Sequence, residues 1–253
     1  MAPQKFVRWM AKHEHRDPRY GFVYHYHPRS DAHSIALCRF ILEDLLQASQ
    51  ILKEQALAGR VVYGINYTHT WKETGKIKTL DLAIGTGLAD TTLPSPVAGI
   101  YRGAIERVLI SCESKTVMTE HSKSQPRIYD ELSSSHEIVH QGDREAIATG
   151  IAVVNIADTF VSPLRQRGVE LHVSRHQQPR AAERMVSHLR GLPIREQSQA
   201  VGFDAFAAIV INSDNQTPAK LWRKPPAPQP GDRDEYSTFL TRISGAYAER
   251  FGK

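Results

Sequence analysis

Two apolar runs, each interrupted by a single acidic residue, constrain this chain more than any other feature. The first, Lys76-Ile-Lys-Thr-Leu-Asp81-Leu-Ala-Ile84, ends in Gly85-Thr86-Gly87. The second, Arg107-Val-Leu-Ile-Ser-Cys-Glu113-Ser-Lys115, follows after a segment containing Pro94 and Pro96. Both are short and rich in β-branched or aliphatic residues, which predicts strands. An acid inside such a run is costly to bury unless it is paired or has a task. Side chains two apart on a strand share a face, so Glu113 and Lys115 are predicted to project together. If the two strands pair, Asp81 meets them on one surface. Two carboxylates can hold a divalent cation, and a neighbouring ammonium can activate a water or steady a phosphate. Those are the minimal parts for hydrolysing a phosphodiester.

The elements around these runs follow from periodicity. Residues 31–58 are predicted to form one long helix, capped by Ser30 or Asp31. Leu37, Ile41, Leu45, Ala48 and Leu52 recur near the helical period there, and Gly59 supplies a stop. Strands are predicted over 60–70, 77–84 and 108–118, then a helix within 124–140 and a strand over 151–156. Gly85-Thr86-Gly87 is expected to be a tight turn, opening a loop over 85–99. Beyond lie a helix over 180–189, a buried strand over 205–212, a proline-rich loop over 225–230 and a closing helix over 234–251. Phe239, Ile243, Tyr247 and Phe251 stand four apart on that last helix and give it one apolar face, expected to bury against the core. The expected fold class is α/β, a mixed central sheet flanked by helices. It is expected as one domain over 1–253, with a basic N-terminal arm (1–30) and a C-terminal elaboration (161–253).

The order helix, three strands, helix, strand, with Asp81 on the second strand and Glu113-Ser114-Lys115 on the third, resembles the PD-(D/E)xK nuclease superfamily and in particular type II restriction endonucleases. The resemblance covers residues 31–160. Two departures stand out: Leu80 rather than proline precedes Asp81, and the 32-residue step from Asp81 to Glu113 is long for the family. The resemblance implies a Mg2+-dependent endodeoxyribonuclease acting on double-stranded DNA, with Mn2+ as a substitute, in a prokaryotic defence system. It implies that Asp81 and Glu113 bind the metal beside the carbonyl of residue 114, and that Lys115 orients or activates the attacking water. Glu43, on the first helix, matches a position where many members add another acid. Lys123, Arg127 and His121 are expected to touch the DNA backbone. Cutting both strands of a symmetric site implies a homodimer.

Two other motifs compete for attention. His136-Glu137-Ile-Val-His140 fits the H-E-x-x-H zinc-peptidase pattern, in which two histidines share a helix face and the glutamate acts as base. The serine run 133–135 before it and Gly142-Asp143 after it favour the surface end of a helix instead. A third possibility is a nucleic-acid-binding protein of the nuclease fold that does not cut. The N-terminal His13-x-His15 and His25-x-His27 pairs hint at a metal, but lack the cysteines and regular spacing of a zinc motif. Net charge is +5, compatible with a polyanionic partner. Cys38 and Cys112 both lie in apolar runs, so a disulfide framework is not expected. No signal core or membrane span is visible, and a cytoplasmic protein is the expectation.

Overall fold

A computed structural model describes residues 1–90 and 96–252. In chain order the elements are α1 (Ala2–Met10), β1 (His15–Arg16), β2 (Val23–Tyr24), α2 (Ala32–Ala48), α3 (Gln50–Leu57), β3 (Val61–Thr70), β4 (Ile77–Ala89) and β5 (Gly103–Val117). There follow α4 (His121–Gly142), β6 (Ile147–Asn155), β7 (Thr159–Val161), β8 (Val173–Arg175), α5 (Arg180–Leu189), β9 (Ala205–Asn212), β10 (Lys220–Leu221) and α6 (Tyr236–Phe251). The predicted order of helix, three strands, helix and strand is present over residues 32–155. The long first helix is broken at Ser49, whose extended backbone ends α2 and whose hydroxyl accepts from Leu52 N to cap α3.

Six strands form a mixed sheet in the order β10-β9-β6-β5-β4-β3. The pairs β3–β4, β4–β5 and β9–β10 are antiparallel, while β5–β6 and β6–β9 are parallel. Parallel neighbours need a crossover, and α4 and α5 provide the two that flank β6. Every residue of β6 is buried, as a central strand covered on both faces requires. Helices α1, α2, α3 and α6 cover one face, through Phe6, Leu37, Ile41, Leu45, Phe239 and Tyr247. Helices α4 and α5 cover the other, through Ile128, Leu132, Val139, Met185 and Leu189. The fold is thus α/β with a helical layer on each side of the sheet. No helix among the described residues is long and apolar enough to cross a membrane.

Both chain ends are part of this core. In the expected N-terminal arm, α1 buries Phe6, Val7 and Met10 against α2. In the expected elaboration, β9 and β10 belong to the central sheet, and Phe239, Ile243 and Tyr247 of α6 are buried on it. Cys38 and Cys112 are buried, free thiols.

The expected turn at Gly85-Thr86-Gly87 is instead the middle of a long strand. Two irregularities in the β4–β5 register fall at Ile84/Gly85 and Thr86/Gly87. A β-carbon on Gly85 would stand 2.0 Å from the Arg107 carbonyl oxygen, and one on Gly87 would stand 1.9 Å from that of Ala104. The glycines are there because β5 approaches too closely for any side chain, so the strand continues through them. The expected loop keeps only its later part, of which residues 91–95 lie outside the described residues.

This close approach sets up a test. Gly85→Val should lower the thermal midpoint by several degrees or prevent folding, corresponding to at least about 2–3 kcal/mol. An unchanged melting curve would show that β4 and β5 are not in this register.

Candidate active site

Strand β4 pairs with both β3 and β5 over its second half, but its ladder with β5 ends at Leu82 opposite Cys112. Asp81 and Glu113 are the next residues on either side of that last pair. There the two strands part, and the Asp81 carboxylate fills the opening by accepting from Ser114 N at 2.7 Å. Glu113 is 7 % exposed. Its Oε1 meets Lys115 Nζ at 2.7 Å, and its Oε2 meets Lys78 Nζ and Ser135 Oγ, each at 3.1 Å. Lys115 also reaches Glu131 at 3.3 Å, which in turn pairs with Arg127 at 2.8 Å. Asp81, Glu113 and Lys115 are therefore gathered at one point, where alternation along β5 and pairing with β4 were expected to put them.

The electrostatics separate the two acids from a simple ion pair. Burial pushes the Asp81 pKa up to about 6, and the charge of Glu113 adds to the rise. The hydrogen bond from Ser114 N and the charges of Lys115 and Lys78 pull the other way without cancelling it. Lys115 loses solvation, but Glu113 and Glu131 keep its pKa above the ordinary lysine value. It is a cation in this setting, suited to holding an anion or a water rather than to taking a proton as a base.

The other predicted residues are placed as follows. The Glu43 carboxylate on α2 is engaged by Lys5 at 3.0 Å and by Arg39 at 3.8 Å. The neighbouring Asp44 is the buried member of that pair of acids, held by Ala2 N, Lys5 and the Tyr236 hydroxyl. Lys123 and Arg127 project from the first turns of α4 into solvent, paired with Glu120 and Glu131. His121 is not on that surface: it is 4 % exposed, and its Nε2 lies 2.7 Å from the Asn155 carbonyl oxygen. It anchors the start of α4 to the end of β6, so no phosphate can reach it without the helix moving.

Sequence reasoning missed three members of the cluster. Lys78 is three residues from Asp81 on β4, which strict alternation assigns to the opposite face, yet it reaches Glu113 beyond the end of the ladder. Glu131 and Ser135 lie on the helix above. A signal for Ser135 was present: it is four residues from both Glu131 and Val139, on the side of α4 that packs on the sheet. The serine run marks a polar contact with Glu113, not a surface end.

The H-E-x-x-H residues take a different arrangement. His136 is 1 % exposed against Phe203, Glu137 is exposed, and the His136 and His140 ring centroids are 6.1 Å apart. His140 Nε2 stands 3.5 Å from Asp204, a buried acid that also meets Arg195 at 2.9 Å and Arg250 at 2.6 Å. Although burial opposes it, His140 and the guanidiniums hold the Asp204 pKa down to about 2. Two guanidiniums beside these histidines oppose a metal dication. Among the described residues, no group of three or more His, Cys, Asp and Glu side chains is set to hold a metal ion.

The raised Asp81 pKa predicts a specific pH signature in metal-free protein. The folded state holds a proton on Asp81 up to about pH 6, whereas the unfolded chain releases it near 4. Stability is therefore contributed at low pH and lost as pH rises through that window. Asp81→Asn keeps the neutral form throughout, so its advantage in thermal midpoint over wild type should grow from pH 4 to pH 6 and then level off. A wild type more stable than Asp81→Asn above pH 6 would contradict the assigned environment. No family model matches this chain, and no curated protein or solved structure matches it either, so the pocket's own chemistry carries the functional reading.

Proposed function

We propose that this chain is a Mg2+-dependent DNA endonuclease of the PD-(D/E)xK type, acting as type II restriction enzymes do. The observation that carries this reading is the meeting of Asp81 and Glu113 where β4 and β5 part, with Lys115 Nζ 2.7 Å from Glu113 Oε1. Two acids forced together under burial need a cation, and the pKa of Asp81 pushed up to about 6 records that need. Asp81 and Glu113 would hold Mg2+, which supplies charge neutralisation at a phosphodiester and keeps most of its other positions for water and phosphate oxygens. Two protein carboxylates suffice for that ion, whereas a structural zinc site takes four protein ligands.

The roles of the chain's own atoms follow from their partners. Lys115 holds its ammonium beside Glu113 and can place a water in line with the scissile phosphorus or steady the phosphate charge. Glu131 keeps that ammonium in position from α4 at 3.3 Å. Lys78 and Ser135 fix the other Glu113 oxygen, so the carboxylate is oriented before any substrate arrives. Lys123 and Arg127, on the outer side of α4, are placed to meet backbone phosphates after exchanging their glutamate partners. Two copies related by a two-fold axis would present two such pockets to the two strands of a duplex.

A second reading has one observation in its favour. Glu113 is already neutralised by two lysines, so the fold could bind nucleic acid by its cations and never cut. Incubation of plasmid DNA with Mg2+, Mn2+, Zn2+ or a chelator decides between them. The nuclease reading predicts linear product with Mg2+ or Mn2+, none with chelator, and a dimer by light scattering. Glu113→Gln should lower cleavage at least about a hundredfold, the scale for losing one group that stabilises transition-state charge, and retain DNA binding in a gel-shift assay. Normal cutting by Glu113→Gln would sink the assignment. Binding without cutting in any metal would select the second reading.

A further inference from the structure

Five histidines that are dispersed in sequence, His13, His15, His25, His27 and His33, come together where α1, the β1–β2 hairpin and α2 meet. The ring centroids of His13, His15 and His33 are 4.7 Å, 5.5 Å and 5.6 Å apart, taken pairwise. Two imidazoles on one tetrahedral ion, with metal–nitrogen bonds near 2.0–2.1 Å, place their centroids about 5 Å apart. Each of the three carries a buried ring nitrogen with no hydrogen-bond partner: Nε2 of His13, Nε2 of His15 and Nδ1 of His33.

The hydrogen bonds around the cluster set these nitrogens as lone pairs. His33, 3 % exposed, lies with Nε2 2.8 Å from the His25 carbonyl oxygen. That nitrogen carries the proton and donates, which leaves Nδ1 as an unprotonated donor to a metal. A ligating histidine that gives its other N–H to a backbone carbonyl is the usual outer-shell arrangement of such sites. His25 in turn sets its Nδ1 3.1 Å from the His13 carbonyl oxygen, tying the hairpin to the end of α1. His27 differs: its Nδ1 accepts from Arg29 N at 3.2 Å, so its proton sits on Nε2 and it is a neighbour rather than a ligand. Trp9 closes one side, stacked on His13 at 4.3 Å and edge-on to His33 at 5.3 Å.

We propose that His13 Nε2, His15 Nε2 and His33 Nδ1 form a binding site for a zinc-class divalent ion, with the fourth position left to solvent. The rings already have the separation, and rotation about their Cβ–Cγ bonds supplies the direction. Imidazole nitrogens select Zn2+ and its transition-metal neighbours over Mg2+, so this site and the Asp81–Glu113 pocket take different ions. The ion would lock the hairpin onto α1 and α2. The pair His136 and His140 is the weaker candidate, because Arg195 and Arg250 crowd the acid beside it.

Metal analysis of full-length chain after gel filtration should find about one zinc per chain. Metal-free chain titrated with Co2+ should develop the visible absorption of a tetrahedral nitrogen site, and titrated with Zn2+ should change its tryptophan fluorescence. His33→Gln and the double variant His13→Gln/His15→Gln should lose the Co2+ band, and His140→Gln should keep it. Trp9→Phe, which leaves all three ligands intact, should keep the band and lose the fluorescence change, an expectation that stands even if His33→Gln does not fold. Absence of a Co2+ band in the wild type, its persistence in a folded His33→Gln, or its loss in His140→Gln would each overturn the proposal.

Discussion

The structure turns on two carboxylates that cannot both be comfortable. Asp81 and Glu113 are brought to the last open position between β4 and β5 by a ladder that stops one residue earlier. Burial and mutual repulsion push a proton onto Asp81, while two lysines and a serine hold Glu113. Everything nearby is arranged around that conflict. The glycines of β4 let β5 run close enough to bring Glu113 across from Asp81. Helix α4 brings Ser135 and Glu131 down onto the cluster, and Arg127 continues the alternation of charge outward.

Asp204 shows what a buried acid looks like when it serves stability. Arg195 donates to it from the segment after α5, Arg250 from the end of α6, and Ala148 N from β6 at 2.8 Å. With its oxygens filled it stays ionised far below neutrality, its pKa held to about 2. It ties three remote stretches of chain together. Asp81, of the same residue type and also buried, is driven the opposite way. A fold can tolerate a frustrated acid of that kind at one place if the rest of its charges are satisfied, and such places concentrate at functional sites.

Much of this was legible before any coordinates. Alternation placed Glu113 and Lys115 on one face, and the apolar runs located the strands, because those signals are local and depend on period alone. The closing helix announced its buried face through Phe239, Ile243 and Tyr247. What escaped was decided by neighbours. Gly85 and Gly87 read as a turn because their reason is a carbonyl on another strand. Ser49 breaks a periodic helix that its own sequence would have carried through. Lys78 joins Glu113 across a gap that strict alternation does not foresee. The histidines of the first 33 residues looked like surface decoration because their convergence depends on how α1 docks on α2, which no local pattern encodes.

The measurement that bears most directly on the central claim is the position of a divalent ion in crystals soaked in Mn2+, read from anomalous scattering. Mn2+ stands in for Mg2+ and reports its own location. The account predicts a peak within bonding distance, about 2.0–2.6 Å, of both the Asp81 and Glu113 carboxylates, with Lys115 drawn off the Glu113 oxygen that the ion takes. A fully soaked crystal with no peak there, and with the Lys78–Glu113–Lys115 ion pairs intact, would mean that these charges only hold the sheet together.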